Sequence, residues 1–167
     1  MKASTFVLMV LALMLVTAAA RAQQTVILVR HAELRGSAMA EPQEVPLSEA
    51  GKARAQKLAA LLQDAGVAAI YVTDFQRTNQ TGQPLSYKID RPLTVVKKGD
   101  SRELVARMRK EHPGQTVLVV GHTDTIPGVI RALGYPADVK IDSQDYGNLF
   151  IVAPKSDGAP AFVRLHY

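Results

Sequence analysis

The chain has 167 residues, contains no cysteine and carries a formal net charge of +5. Without cysteine, the protein has no disulfide, no thiolate metal site and no cysteine nucleophile. Aromatic residues make up 5% of the chain and are not interleaved with basic runs, so the composition gives no support to nucleic-acid binding.

The start of the chain has the pattern of a secretory signal peptide. Lys2 supplies a positive start, Phe6 to Val16 is almost unbroken apolar sequence, and Ala20-Arg21-Ala22 offers a small-x-small cleavage site. The apolar stretch is too short to span a bilayer comfortably. We therefore predict an exported protein, periplasmic or secreted, with a signal peptide at 1–22, one domain at 23–167 and no stable membrane insertion after cleavage. Retention as an uncleaved anchor is the alternative. The domain alone has a net charge of +3, because Lys2 and Arg21 leave with the signal peptide.

Strand and helix patterns then alternate along the domain. In the first half, the pattern predicts strands at Thr25–Val29, Val67–Val72 and Leu93–Val96. It also predicts a helix that is capped by Ser48 and runs to about Ala65. A short helix that carries Arg77 is predicted after the second strand, with Thr73 or Asp74 as its cap. The second half predicts a helix from Asp100 to about His112, a strand at Thr116–Val120, a helix from about Thr125 to Leu133, and a closing hairpin of Asn148–Ala153 and Ala161–His166 around Asp157-Gly158. This alternation predicts an α/β fold, a three-layer αβα sandwich with a mostly parallel central sheet and an antiparallel edge.

Two histidines come directly after buried strands. Arg30-His31 follows Val26–Val29, and Gly121-His122 follows Val117–Val120. The carboxyl ends of strands in an open α/β sheet are where ligands bind. Arg77 also follows a strand and falls in the first turn of its helix, where a cation opposes the helix dipole unless an anion is near. These placements indicate an anionic ligand at this sheet edge.

The residue types fit phosphate chemistry. An arginine fork matches the paired oxygens of a phosphate, and a neutral imidazole held by an acceptor on one nitrogen can attack phosphorus with the other. A second imidazole across the site can stabilise the charge that builds in the transition state. Two histidines and two arginines are therefore sufficient for phosphoryl transfer through a phosphohistidine, without a metal.

Four segments of the chain resemble the histidine phosphatase superfamily, the phosphoglycerate-mutase-like group. They occur in the order of the family and are Val29-Arg30-His31-Ala32-Glu33, with alanine in place of the glycine of the Arg-His-Gly signature, then Leu47-Ser48-Glu49-Ala50-Gly51, then the run from Tyr71 to Thr81 that contains Arg77, and Val120-Gly121-His122-Thr123-Asp124-Thr125. The resemblance implies a phosphoglycerate-mutase-like catalytic domain. His31 would be the nucleophile, and Arg30, Arg77 and His122 would clamp the phosphate. No cofactor would be needed, and the substrate would be a small phosphorylated molecule or a phosphorylated protein.

The proton donor for the leaving group is left open by the resemblance. The mutase-like branch uses a glutamate after the helix that carries the second arginine, where this chain offers Asp100 and Glu103 in the spacing of a helix cap. The acid-phosphatase branch uses an aspartate directly after the second histidine, whereas Asp124 lies one residue further on. We take Asp124 as the candidate proton donor, and capping of the next helix is its alternative role. Glu33 is a candidate for substrate binding or for orienting the loop or an arginine. The short phosphohistidine phosphatases of the group do without such an acid.

Two other functions stay open. A phosphate-ligand binding module would keep the pocket with little or no turnover, and the uncertain acid motivates this alternative. A metallohydrolase would use His31, Glu33, His122 and Asp124 as ligands, although their spacing fits no standard metal motif. Six basic residues are interpreted as a solvated face, with attraction of an anionic substrate as the alternative: Lys97, Lys98, Arg102, Arg107, Arg109 and Lys110.

Overall fold

The computed structural model describes residues 24–36, 44–155 and 157–167. The predicted signal peptide at 1–22 lies outside these residues. The described strands are β1 (Thr25–Arg30), β2 (Val67–Thr73), β3 (Leu93–Val96), β4 (Thr116–Gly121), β5 (Asn148–Ala153) and β6 (Ala161–His166). The described helices are α1 (Glu49–Leu62), α2 (Gln76–Ile89), α3 (Ser101–Glu111) and α4 (Ile126–Ala132).

The strands form one mixed sheet in the order β3-β2-β4-β1-β5-β6. Strands β3, β2, β4 and β1 pair in parallel, and β5 and β6 add an antiparallel edge. The predicted three-layer α/β sandwich with this edge is confirmed. Because β4 returns to a place between β1 and β2, the carboxyl ends of these three strands meet at one edge, which is where open α/β sheets bind ligands.

Helices cover both faces of the sheet because side chains alternate along each buried strand. On one face Val26 and Leu28 of β1 pack with residues of α3 and α4, such as Met108 and Ile130. On the other face Ile27 and Val29 pack with α1 and α2. This double coverage holds the central strands rigidly and fixes the positions of the residues that follow them. Among the described residues, no helix has the length and apolar character needed to cross a membrane.

The predicted start of α2 is wrong. The helix is 14 residues long, and its N-cap is Phe75 instead of Thr73 or Asp74. Both predicted caps are engaged elsewhere: the hydroxyl of Thr73 lies 2.8 Å from the ring of His122, and the carboxylate of Asp74 accepts from the backbone N–H of Lys98. The helix instead begins with Thr78 and Asn79 donating from their side chains to the Phe75 carbonyl.

The predicted cap of α1 is correct, since the Ser48 side chain accepts from the backbone N–H of Gly51. The same turn holds the loop after β1, because the backbone N–H of Ser48 donates to the Glu33 carbonyl over 2.9 Å. Gly51 allows this approach. A Cβ at position 51 would lie 2.2 Å from the Glu33 carbonyl oxygen, which is backbone and has little room to move. The Leu-Ser-x-x-Gly segment is thus a close contact between a helix and the loop that carries His31.

Gly51→Ala is expected to destabilise the fold by about 1–3 kcal/mol, because the strain of the added methyl outweighs the better helix propensity of alanine. The midpoint of urea unfolding measures this effect. Gln56→Ala, on an exposed position of the same helix, is the control and should stay within about 0.5 kcal/mol of the parent. An unchanged midpoint for Gly51→Ala would mean that the loop after β1 yields without cost.

Candidate active site

The register of β1 and β4 brings the two histidines together. Arg30 pairs with Gly121, so the next residue of each strand, His31 or His122, emerges at the same level of the sheet. The backbone N–H of His31 donates to the Gly121 carbonyl over 3.0 Å, which extends the pairing by one step. The two imidazole centroids lie 5.4 Å apart, with the rings inclined by 62°. A single phosphate group therefore has room to touch both rings.

His31 is held with one nitrogen ready to react. Its Nδ1 lies 2.9 Å from the carbonyl oxygen of Ala32, and because a carbonyl only accepts, Nδ1 carries the proton. The lone pair is then on Nε2. Burial lowers the pKa of His31 to about 3, and the positive charges of Arg77 and Arg30 act in the same direction, against the hydrogen bond to Ala32. The ring is therefore neutral and nucleophilic at ordinary pH.

His122 has the opposite tautomer. Its Nδ1 lies 3.4 Å from Nη2 of Arg77, and a guanidinium only donates, so Nδ1 is the acceptor. Its Nε2–H donates to the Thr73 hydroxyl, which lies 2.9 Å from the hydroxyl of Thr78. Burial, with the charges of Arg77 and Lys98, lowers the pKa of His122 to about 4. An anion bound beside this ring would raise that pKa and place a proton on Nδ1, while the bond to Thr73 stays unchanged.

Arg30 is fixed by the loop before β5. Its Nη1 donates to the Ser143 carbonyl over 2.7 Å, and its guanidinium lies 4.0 Å from the centroid of the Tyr146 ring. The side chain is buried, and its Nε has no hydrogen-bond partner among the described residues. A buried donor of this kind indicates an acceptor that the protein itself does not supply.

Arg77 is the second residue of α2 and lies against the ring of Phe75, 4.2 Å from its centroid. One turn later, Thr81 accepts a hydrogen bond from the backbone N–H of Ala32 and donates to the Arg77 carbonyl. The spacing of the Arg-x-x-x-Thr segment therefore has two effects. It places the cation of Arg77 at the site, and it binds α2 to the loop after His31 through Thr81.

The carboxylates predicted for the site lie in ion pairs. Asp124 pairs with Lys98 over 2.6 Å, and its side chain is 64% exposed. Burial raises the pKa of Asp124, but the hydrogen bond and charge of Lys98 outweigh this effect and hold the carboxyl below its usual range. Glu33 is bound by Arg54 through both of its oxygens. The structure thus gathers Arg30, His31, Arg77 and His122, with Asp124 at the rim and Glu33 committed to Arg54.

Asp100 serves as the N-cap of α3 by accepting from the backbone N–H of Arg102, which is the structural role that its spacing favours. With Glu33 and Asp124 in ion pairs, the four residues considered for a metal do not form a ligand set. Within the described parts of the chain, no group of three His, Asp or Glu side chains is arranged to hold a metal ion.

Several residues of the site were not foreseen from the sequence. Thr73, Thr78 and Thr81 hold His122 and the loop after β1, whereas Phe75 and Tyr146 lie on the two arginines. A threonine at a strand end and a phenylalanine at a helix start are local sequence signals that indicate Thr73 and Phe75 as site residues. Tyr146 lies in an irregular loop far along the chain and gives no such signal.

A cavity of about 330 Å³ lies behind His122, between the sheet and the helices α3 and α4. Aliphatic residues of β2, β3, β4 and α4 line it together with charged residues such as Lys98, Asp100 and Glu103. None of the four gathered side chains is among the described residues that line it.

The two histidines should show opposite neutral tautomers in nitrogen-15 NMR spectra of the unliganded protein. We expect Nδ1–H for His31 and Nε2–H for His122, with neither ring titrating between about pH 5 and 8 because both pKa values lie at about 4 or below. His31→Gln and His122→Gln spectra assign the signals. Equal tautomers, or a protonated ring at pH 7, would contradict the hydrogen-bond assignment.

The chain is similar to known proteins in sequence and in fold. A sequence profile of the histidine phosphatase superfamily, branch 1, matches residues 26–104. Among curated proteins, none matches the sequence.

Many solved structures share the fold, and three of them show its range of activities. The protein histidine phosphatase SixA, complexed with tungstate, has a TM-score of 0.66 at 17% identity, covering 85% of this chain and 96% of its own. An Entamoeba histolytica phosphoserine phosphatase variant in complex with phosphoserine has a TM-score of 0.66 at 14% identity, with coverage of 84% and 95%. A mycobacterial glucosyl-3-phosphoglycerate phosphatase has a TM-score of 0.63 at 15% identity, with coverage of 87% and 98%. Identities this low show a common fold and carry no substrate with them.

The family profile ends before β4, and the sheet then brings His122 of that strand end to the residues inside the match. The sequence match to the histidine phosphatase superfamily and the fold shared with these structures therefore agree.

Proposed function

We propose that the protein is a metal-independent phosphatase that works through a phosphohistidine on His31. The observation that carries the proposal is the neutral His31 ring, with Nδ1–H bound to the Ala32 carbonyl and Nε2 left to react, 5.4 Å from His122 and flanked by two arginines. Such a set binds a phosphate anion and supplies its nucleophile in the same place.

In the first step the Nε2 lone pair of His31 forms a bond to phosphorus, and the bond from phosphorus to the leaving group breaks. The leaving group departs with the electron pair. Arg30 and Arg77 neutralise the phosphoryl oxygens, and His122 donates through Nδ1 after taking up a proton. In the second step a water oxygen attacks phosphorus, the N–P bond breaks, and the pair returns to Nε2 of His31. Inorganic phosphate leaves with the oxygen of that water and one of its protons, and the other proton passes to solvent.

The leaving group restricts the substrate. A poor leaving group such as an alkoxide needs a proton from a general acid. Asp124 is ionised and bound to Lys98 in the unliganded site, which makes it a weak donor. We therefore favour substrates whose leaving group departs with little acid help, phosphorylated histidine side chains and activated phosphomonoesters among them. The SixA fold relative, a protein histidine phosphatase, is compatible with this class.

A phosphate-binding module with little turnover is the second candidate, and the Lys98–Asp124 ion pair is the observation that favours it.

We also propose that the protein works outside the cytoplasm, on the basis of the signal-peptide pattern at 1–22. N-terminal sequencing of the protein recovered from cell fractions tests this location.

His31→Ala should abolish hydrolysis of p-nitrophenyl phosphate, since this variant lacks the attacking nitrogen. The parent protein should retain its activity in EDTA. An acid-labile phosphoenzyme should be recovered when its reaction is quenched in alkali. His112→Ala, which removes a histidine at the end of α3, is the matched control and should still turn over. If the parent binds inorganic phosphate in calorimetry but hydrolyses nothing at any pH, the binding module replaces the phosphatase.

Asp124→Asn separates the roles of the rim carboxylate. If Asp124 donates the proton, the variant should lose far more kcat/KM with an alkyl phosphate than with p-nitrophenyl phosphate, whose leaving group needs little help. Lys98→Ala releases the carboxylate and should then improve the alkyl substrate selectively, because the pKa of Asp124 rises. Equal losses on both substrates for Asp124→Asn would reject the role of acid.

A further inference from the structure

Phe75 occupies a position that normally favours another residue type. It is the N-cap of α2, where Ser, Thr, Asp and Asn are preferred because their side chains accept backbone N–H bonds. A phenyl ring has no acceptor, and the sequence offers Thr73 and Asp74 close by. A residue that departs from the N-cap preference beside a candidate site is typically retained there for its function.

The ring of Phe75 lies on the site instead. Its centroid is 5.0 Å from that of His122, edge to face, and 4.2 Å from the guanidinium carbon of Arg77. One aromatic side chain therefore contacts one histidine and one arginine of the phosphate position. A cation held over an aromatic face gains electrostatic stabilisation and loses freedom to turn.

Tyr146 makes the same pair of contacts for the other two residues. Its ring centroid is 4.0 Å from the guanidinium carbon of Arg30 and 6.0 Å from the ring of His31. The contacts come from an unrelated part of the chain, the loop before β5, so the site has two aromatic side chains, each set on one arginine and one histidine.

The loop that presents Tyr146 is braced on both sides of the ring. The Asp142 carboxylate accepts from the backbone N–H of Gln144, and the Asp145 carboxylate accepts from the backbone N–H of Gly147 and from His166. Because the Ser143 carbonyl also binds Arg30, the ring and this carbonyl hold the same guanidinium from two directions. Tyr146 is thus positioned by a built loop.

Both rings are half-buried, so each leaves part of its surface open to solvent beside the arginine that it contacts. A leaving group must leave the phosphate on that solvent side. A flat, delocalised leaving group can stack against an aromatic ring or edge there, at a gain of about 0.5–1.5 kcal/mol beyond area burial. An aliphatic leaving group gains no such contact.

We propose that Phe75 and Tyr146 are the specificity residues of this site: they position Arg77 and Arg30 and select phosphorylated substrates with a planar leaving group. The selection rests on the proposed phosphatase function. The positioning does not, because it concerns the binding of a phosphate anion to the two arginines.

The experiment compares the parent with Phe75→Leu, Tyr146→Leu and Tyr146→Phe, and Tyr87→Leu is the control because Tyr87 is 78% exposed on α2. Calorimetric titration with inorganic phosphate reports the positioning. The ratio of kcat/KM for phenyl phosphate to that for a fluorinated alkyl phosphate, whose alcohol matches phenol in acidity, reports the selection. Thermal unfolding by circular dichroism identifies variants that have lost the fold.

The leucine variants should weaken phosphate binding by about three- to thirty-fold, the range of a partly desolvated cation–π contact. Tyr146→Phe, which keeps the ring, should recover most of that loss. The parent should favour phenyl phosphate by about tenfold, and the leucine variants should lose this preference.

Phosphate affinities unchanged in both leucine variants would overturn the proposal, and so would a parent that treats the two esters equally. A parent that binds phosphate but hydrolyses neither ester would remove the proposed phosphatase function and the selection with it. The calorimetric comparison of the leucine and phenylalanine variants would then still decide the positioning by the rings.

Discussion

The parallel pairing of β1 with β4 is the constraint on which the rest of the site depends. Arg30 and Gly121 are partners in that pairing, and the residue after each is a histidine. The strands are buried on both faces, so a shift of register would expose an entire apolar set and is strongly opposed. The separation of the two imidazoles is therefore determined by the core of the protein and not by a flexible loop.

The site collects positive and neutral groups that have little reason to meet without an anion. Arg30 and Arg77 lie close enough to depress the pKa of both histidines. Burial adds to this effect and keeps the rings neutral, so the unliganded protein holds His31, the proposed nucleophile, in its neutral form. The energetic cost of such a cluster is met by neighbours with no part in the chemistry, such as Thr73, Thr81 and the carbonyl of Ser143. A bound phosphate would complete the charge balance.

Local patterns predicted much of this arrangement. The strand ends before His31 and His122, the Ser48 cap and the closing hairpin follow from periodicity and turn chemistry over a few residues. The predicted start of α2 is wrong because Thr73 and Asp74, which are good caps locally, bind groups elsewhere in the chain instead. The partners of Glu33 and Arg30 likewise depend on contacts between distant segments, which one sequence without a fold does not reveal.

Arg54 extends the site to the far end of the sheet. Its guanidinium binds both oxygens of Glu33, next to the catalytic loop, and donates to the main-chain carbonyl of Tyr167 just past β6. The backbone N–H of Tyr167 in turn donates to the Gly147 carbonyl, beside the ring that covers Arg30. Fraying of the outer strand therefore loosens the supports of His31 and Arg30 together. The alignment of His31 and Arg30 is in this way linked to completion of the tertiary structure, and a partly folded intermediate would carry both side chains without that alignment.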